Sequence, residues 1–300
     1  FLWARYRSKA VVFCGSLSLV LFFIAAMVAQ FIGGARLFES LTGLDYHLGL
    51  ILFALSVVLY TTVGGFRAVA LTDTVQGFVM MIGTVAILWG TIRAGGGVGP
   101  IMETLYRTDP ALLTPFGPGN FIAKPYILSF WVLVCFAVIG LPHTAVRCMG
   151  YRDARSMHRA IFIGTFVMGF LMLGMHLCGV FGRAVLPGLT VGDRIMPELT
   201  LHVLPPLWAG VFLAGPLAAI MSTVDSQLIL ASATLVKDLF VRYGGPGEPL
   251  PAPREEKLRR AGFATTALLG LIVFGASLKP PSLIVLINLF AFGGLEAAFL

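Results

Sequence analysis

Long apolar stretches separated by short polar ones run along the whole chain and predict about eight membrane-spanning helices. Most of these charge-free stretches reach the roughly 20 residues that a helix needs to cross the hydrocarbon core, and the last two are slightly shorter. The predicted spans one to eight are residues 11–35, 48–66, 74–92, 125–146, 160–182, 199–224, 261–278 and 280–295. The pattern therefore predicts an all-α polytopic protein in a lipid bilayer.

Composition and charge agree with this pattern. Hydrophobic residues make up 58% of the 300 residues and charged residues only 12%, which is about half the charged fraction of a soluble domain. Of the 21 Lys and Arg residues, 14 lie in the N-terminal segment and the other loops on one side. The positive-inside rule places that side, with the N-terminus, in the cytoplasm. This bias explains the net charge of +7, and no nucleic-acid partner is predicted.

The loops do not divide the chain into separate domains. Residues 237–260 form a cytoplasmic linker between spans six and seven that is rich in Pro, Gly and charge. The chain lacks an initiator Met and ends within an apolar stretch, so we expect residues 1–300 to be a single transmembrane domain cut at both ends. The four scattered cysteines form no CxxC pair, and no HExxH motif or nucleophile elbow is present. The sequence thus favours neither a transition-metal site nor an enzyme.

Two predicted spans are interrupted by glycine and proline. Gly140 and Pro142 lie in span four, and Gly215 and Pro216 lie in span six. Proline removes a backbone donor and strains the preceding turn, and transporters use such broken helices to bind solutes and ions. A simple packing kink is the alternative, because both residue types are common in membrane helices.

Span six also contains a cluster of oxygen-bearing side chains in the stretch GPLAAIMSTVDSQ, residues 215–227. Ala219, Ser222 and Thr223 share one helix face, which Ser226 extends. A backbone carbonyl and two hydroxyls on that face suit a hard cation such as sodium, because hard cations prefer oxygen ligands. Hydroxyls that bond back to carbonyls one turn earlier are the alternative. The spacing leaves both open, and Asp225 adds weight to a functional role because intramembrane carboxylates are costly.

Several segments resemble a known family of transporters. GLDYHLGLILFALSVVLYTTVGGFRAV (43–69), TDTVQGFVMM (72–81) and AAIMSTVDSQLILASATLVKDL (218–239) resemble motifs of the sodium:solute symporter family. The segments 30–37, 129–154 and 292–300 are most similar to its sodium/pantothenate branch. The resemblance covers essentially the whole chain. It implies the five-plus-five inverted-repeat (LeuT-like) transporter fold, with core helices three to ten in this chain and core helices one and two before it.

The resemblance also implies site residues. In the family, a sodium site joins carbonyls of core helix one to a carbonyl and two hydroxyls of core helix eight, which fall here on Ala219, Ser222 and Thr223. Asp73 matches an aspartate on the family's sodium path toward the cytoplasm. The alternative for Asp73 is a capping box with Gln76 at the start of span three. The resemblance assigns no role to Asp225.

Three further residues are predicted to lie on the substrate pathway: Gln30, Gly140 and Pro142. We expect backbone donors near Gly140 to contact polar groups of the solute, because the proline interrupts the helix there. Arg36 lies in a segment shared across much of the family, so we interpret it as structural.

Together, the residues and the resemblance predict sodium-coupled uptake of a small organic anion by alternating access. The resemblance implies pantothenate as the solute and a bacterial-type inner (plasma) membrane as the location. Sodium would be the coupling ion, and no cofactor is predicted. Two alternatives stay open: a symporter for another small carboxylate or an amino acid such as proline, and a symporter-like sensor module of a signalling protein.

Overall fold

The structure is a computed structural model that describes residues 2–120, 122–135, 141–148, 150–241, 252–280 and 284–299. Within these residues the fold is all-helical, as predicted. The helices are α1 Leu2–Tyr6, α2 Lys9–Thr42, α3 Tyr46–Ala94, α4 Val98–Thr108, α5 Lys124–Cys135, α6 Pro142–Cys148, α7 Ala154–Val185, α8 Ile195–Val203, α9 Pro206–Ala233, α10 Ala252–Ala276 and α11 Ile284–Phe299. A π-helix, Thr234–Val241, continues directly from α9, and short 3₁₀ turns cover Pro110–Leu113, Pro118–Asn120 and Gly192–Arg194.

The predicted spans correspond to apolar helices in the described part of the chain. Five helices there are long and apolar enough to cross a membrane: Lys9–Thr42, Thr72–Ala94, Ala154–Val185, Pro206–Val241 and Glu256–Ala276. They match predicted spans one, three, five, six and seven. Spans two and eight match the shorter apolar helices Tyr46–Thr62 and Ile284–Phe299. Span four falls on α5 and α6, and residues 136–140 between them lie outside the described residues.

Spans two and three were predicted as separate helices, but the helical backbone continues from Tyr46 to Ala94 as α3. The sequence between the two spans contains no proline, so every backbone N–H there is available to a helix. If straight, 49 residues would extend about 73 Å, more than twice the hydrocarbon thickness; α3 therefore holds two membrane-length segments. Because Asp73 lies inside α3, the alternative of a capping box with Gln76 is wrong.

Capping residues define where the long helices begin and end. Gly43 ends α2 with φ at 69°, a left-handed conformation that glycine adopts without the steric cost of a Cβ. The Asp45 carboxylate then accepts a hydrogen bond from the backbone N–H of His47 at 2.9 Å and starts α3. At the start of α7, the backbone N–H of Ser156 donates to the Asp153 carboxylate at 2.7 Å and lowers the pKa of that carboxyl. These caps are local, and the sequence encodes each within a few residues.

Helix α2 lies at the centre of the main core. It packs against α3, α9, α10 and α11, and Phe31 and Phe53 are among the largest fully buried side chains there. Their rings pack edge to face with centroids 5.4 Å apart. A Cβ built on Gly34 would lie 2.5 Å from the Phe53 ring, so a glycine is required where α2 and α3 approach. A smaller cluster joins α3, α7, α8 and α9 through Ile87, Cys178, Leu199 and Phe212.

The two predicted helix breaks have different outcomes. Helix α9 is continuous with Pro216 inside it, so the predicted break in span six is wrong. Gly215 of α9 lies against α3, where a Cβ would be in ordinary van der Waals contact with Met80 Cα at 3.5 Å. In span four, Leu141 is non-helical and α6 begins at Pro142. The helix is therefore interrupted directly before Pro142, as predicted.

The linker between spans six and seven is helical at both ends. The π-helix extends to Val241, and α10 begins at Ala252. Residues 242–251 lie outside the part of the chain that the structure describes. Residues 237–241 and 252–260 of the predicted linker, 237–260, are thus helical.

Candidate functional site

Three oxygen atoms of α9 meet at the face predicted to bind a cation. The Ser222 hydroxyl donates to the Ala219 carbonyl at 3.0 Å, and the Thr223 hydroxyl donates to the same carbonyl at 3.1 Å. The back-bonding considered from the sequence is therefore present. A hydroxyl that donates one hydrogen bond keeps its oxygen lone pairs. The bonds within the helix therefore leave these lone pairs available to the predicted cation site.

The hydroxyl face lies at the edge of the main core. Val224 and Leu228 are fully buried among the residues of α2 and α3, whereas Ser222 and Thr223 are half-buried. Helix α9 is thus anchored by one face while the hydroxyls stay at the margin of the core. This is the placement that a small ion needs if it is to reach the oxygens.

Asp225 and Tyr60 form a buried polar link beside these oxygens. Asp225 is 0% exposed, and its carboxylate accepts a hydrogen bond from the Tyr60 hydroxyl at 2.5 Å. The Ser226 hydroxyl contacts the other carboxylate oxygen at 3.3 Å and donates to the Ser222 carbonyl at 2.9 Å. The Tyr60 hydroxyl also lies 3.4 Å from the Met221 carbonyl. A side chain of α3 is therefore joined to the segment of α9 that carries the hydroxyl face.

Asp73 lies in the same neighbourhood. It is half-buried on α3, and its charge acts on both Tyr60 and Asp225. The fold thus brings Asp73 near the α9 segment predicted to bind sodium, although the two are far apart in the sequence.

The whole chain, residues 1–300, matches the family model described as "Sodium:solute symporter family". The chain belongs to the sodium:solute symporter family. It is 52% identical over 296 residues to the sodium/pantothenate symporter of Haemophilus influenzae, an alignment that covers 99% of this chain and 60% of that protein. It is 51% identical over 299 residues to the sodium/pantothenate symporter of Escherichia coli (strain K12), covering 100% of this chain and 61% of that protein. The osmoregulated proline transporter OpuE of Bacillus subtilis is 32% identical over 304 residues, covering 98% of this chain and 59% of that protein.

These relatives are named as transporters rather than enzymes, in agreement with the prediction. This chain spans about 60% of the length of the pantothenate symporters that it matches. Family membership and the apolar helices make it an integral membrane protein of the bacterial plasma membrane.

A solved structure of a Na+-coupled sialic acid symporter, in a substrate-bound outward-open state with a novel Na+ site, has the same fold. The TM-score is 0.75 at 20% sequence identity, and the match covers 95% of this chain and 62% of that chain. The predicted five-plus-five inverted-repeat fold, with core helices three to ten, is therefore confirmed.

The predicted substrate-pathway residues of this symporter-family chain are only partly described. Gln30 is half-buried on α2, one turn before Gly33, where a Cβ would lie 3.5 Å from Ile220 of α9. Pro142 begins α6, and Gly140 lies outside the described residues. All three stay predictions.

Arg36 belongs to an ion-pair network near the C-terminal end of α2. Its guanidinium lies 2.9 Å from the Glu39 carboxylate and 5.0 Å from the centroid of the Tyr46 ring. Glu39 also pairs with Arg194 at 2.5 Å. The network links α2 to the turn before α8, which agrees with a structural role for Arg36.

The sequence did not predict the contact of Tyr60 with Asp225. The family motif contains Tyr60, but no local pattern connects it to Asp225, which lies 165 residues later. The available signal was Asp225 itself, because a carboxylate within a membrane span requires a donor nearby.

Proposed function

We propose that the full-length protein is a sodium-coupled symporter that takes up pantothenate by alternating access. The observation that carries the proposal is the 51–52% identity to sodium/pantothenate symporters over essentially the whole chain. The proline transporters share about 30–32% identity with it over a similar length. This difference favours pantothenate over proline as the solute.

The geometry of α9 supports sodium as the coupling ion. Ala219 offers a carbonyl oxygen, and Ser222 and Thr223 offer hydroxyl oxygens within 3.1 Å of it. Uncharged oxygen ligands suit a monovalent hard cation that must be released on every cycle. Asp73 would lie on the path by which the ion leaves toward the cytoplasm.

The chemistry of the solute fits co-transport with a cation. Pantothenate is an anion, so a negative membrane potential opposes its entry alone. If two sodium ions enter with each anion, one net positive charge moves inward and gains about 2.3 kcal/mol per 100 mV of potential. We therefore propose at least two sodium ions per pantothenate.

Uptake by the full-length protein in proteoliposomes tests this function. With an inward sodium gradient, we expect radiolabelled pantothenate to accumulate above its external concentration, and a negative-inside potassium diffusion potential to increase the initial rate. Replacing external sodium with potassium is the control and should abolish accumulation.

Unlabelled solutes then distinguish the alternatives. Excess pantothenate should compete with the label, whereas excess proline should not. Sodium-driven accumulation of proline without accumulation of pantothenate would contradict the proposed solute and leave sodium symport standing.

A further inference from the structure

We propose that Tyr60 and Asp225 are positioning residues that hold the sodium-binding turn of α9 against α3. The inference rests on the proposed function, because it assigns sodium to Ala219, Ser222 and Thr223. The bond between Tyr60 and Asp225, 2.5 Å between donor and acceptor oxygens, joins two helices directly beside that turn. We call the Tyr60–Asp225 pair the clamp.

The side of the clamp on α3 is fixed by packing. Val57 is 0% exposed within the main core. The next residue, Val58, lies against α10 so closely that a Cβ built on Gly270 would be 2.5 Å from its Cγ2 atom. Tyr60 therefore projects from a segment that is packed between other helices. This packing restricts the position of its hydroxyl relative to α9.

The side of the clamp on α9 has weakened internal hydrogen bonding around the sodium-binding turn. Pro216 lacks the N–H that would bond within the turn before the site, and the helix changes to π geometry at Thr234. Between these points Ser222 and Thr223 bond back to backbone carbonyls, a pattern that bends helices and slightly weakens them. The internal hydrogen bonds of α9 therefore hold the sodium turn less firmly than those of an uninterrupted helix would.

The clamp reaches the site through two short connections. The Tyr60 hydroxyl contacts the carbonyl of Met221, the residue directly before Ser222, at 3.4 Å. Asp225 contacts Ser226, whose hydroxyl donates to the Ser222 carbonyl at 2.9 Å. Because each hydroxyl has one hydrogen, the 3.4 Å and 3.3 Å approaches are close contacts beside the Tyr60–Asp225 hydrogen bond, and that bond itself holds the turn with Ser222 and Thr223 next to α3.

This arrangement assigns Asp225 the role of hydrogen-bond acceptor. An asparagine has a similar shape and offers an amide oxygen to Tyr60, with its NH₂ group directed at the Ser226 oxygen. A leucine has the same branching at Cγ but is larger, and it offers no acceptor. The clamp therefore predicts that D225N preserves sodium binding and that D225L does not.

The experiment measures the sodium concentration for half-maximal pantothenate uptake by the full-length protein in proteoliposomes. We expect Y60F and D225L to raise it about fivefold to tenfold, the effect of one lost hydrogen bond. D225N should stay within about twofold of wild type, because the acceptor is kept. The Y60F/D225L double variant should be no worse than D225L alone, since both changes break one interaction.

Y46F is the matched control on the same helix. The buried Tyr46 hydroxyl donates to the Ser277 carbonyl at 2.7 Å, so Y46F also removes one tyrosine bond between α3 and the end of α10. We expect Y46F to lower thermal stability but leave the sodium dependence unchanged. A general loss of stability in Y60F would then be separable from a change in sodium binding.

Sodium-induced thermal stabilisation of the purified protein provides a second readout that needs no solute. If wild type is stabilised by sodium but takes up no pantothenate, the proposed solute fails while the clamp is still tested. A Y60F protein with the sodium dependence of wild type overturns the clamp. A D225N protein as defective as D225L also overturns it, because the amide retains the acceptor.

Discussion

The hydroxyls of Ser222 and Thr223 bond within α9 and also belong to the proposed sodium site. In the structure both hydroxyls satisfy the Ala219 carbonyl, which stabilises a polar group within a membrane span. If sodium binds there as proposed, the hydrogens would turn away from that carbonyl and the three oxygens would face the ion. The helical back-bonding would then arrange the ligands before the ion arrives, which lowers the cost of ordering them on binding.

Ser222→Ala and Thr223→Ala test this role. We expect each change to raise the sodium concentration for half-maximal uptake roughly tenfold. The reason is that the loss of one oxygen ligand weakens the free energy of sodium binding by about 1–3 kcal/mol. Thr91→Ala is the control, since the Thr91 hydroxyl makes the same kind of back-bond to the Ile87 carbonyl at 2.7 Å within α3. Sodium dependence that is unchanged in both site variants would leave the hydroxyls with a helical role only.

At the scale of helices, some glycines lie where two helices pack closely against each other. Gly34 allows α2 to pack on Phe53 of α3, whereas Gly215 of α9 lies beside Met80 with room for a Cβ. The first contact lies in the main core, and the second lies next to Pro216. Both contacts pack the helices that carry the hydroxyl face and Tyr60 against their neighbours.

Gly34→Ala should destabilise the protein by overpacking. A Cβ at Gly34 would lie 2.5 Å from the Phe53 ring, and Phe53 is 1% exposed and packed on Phe31. The expected cost is about 1–3 kcal/mol, measured as a lower melting temperature of the full-length protein in detergent. Gly164→Ala is the control, because a Cβ there meets none of the described atoms within 4 Å, and it should not lower the melting temperature.

At the scale of the whole molecule, α7 is long enough to cross the predicted membrane from one side to the other. Its 32 residues extend about 48 Å, enough to cross the hydrocarbon core with turns to spare. Helix α4 packs through Ile101 and Leu105 on Phe181, near the C-terminal end of α7. We therefore expect the residues after α4 and the start of α7 to lie on opposite sides, with Arg155 and Arg159 near the start of α7.

Single cysteines at Thr108 and Ala154 test the orientation. Both positions are exposed, and the background is a full-length variant in which the native cysteines are replaced. By the positive-inside rule, we expect a membrane-impermeant thiol reagent to label A154C only from the cytoplasmic side and T108C only from outside. Labelling of both from the same side would contradict the crossing by α7, and the reverse pattern would contradict the orientation.

The sequence by itself determined the features that depend on residues close together in the chain. Apolar stretches of membrane length predicted the spans, because a helix must cover the hydrocarbon core whatever packs beside it. Helical spacing put Ala219, Ser222 and Thr223 on one face, because residues three and four apart are neighbours in any helix. The interruption before Pro142 followed from the missing backbone donor.

The tertiary structure decided what depends on contacts between distant segments. Composition alone favoured a break at Pro216 and a separate start for span three, but α9 is continuous through Pro216, and the helical backbone of α3 runs through Asp73. The approach of Tyr60 to Asp225 joins residues 165 positions apart, and no local pattern encodes that distance. Such a contact forms only when helix packing brings the two groups together and excludes water, because a buried carboxylate then depends on a protein donor such as the tyrosine hydroxyl.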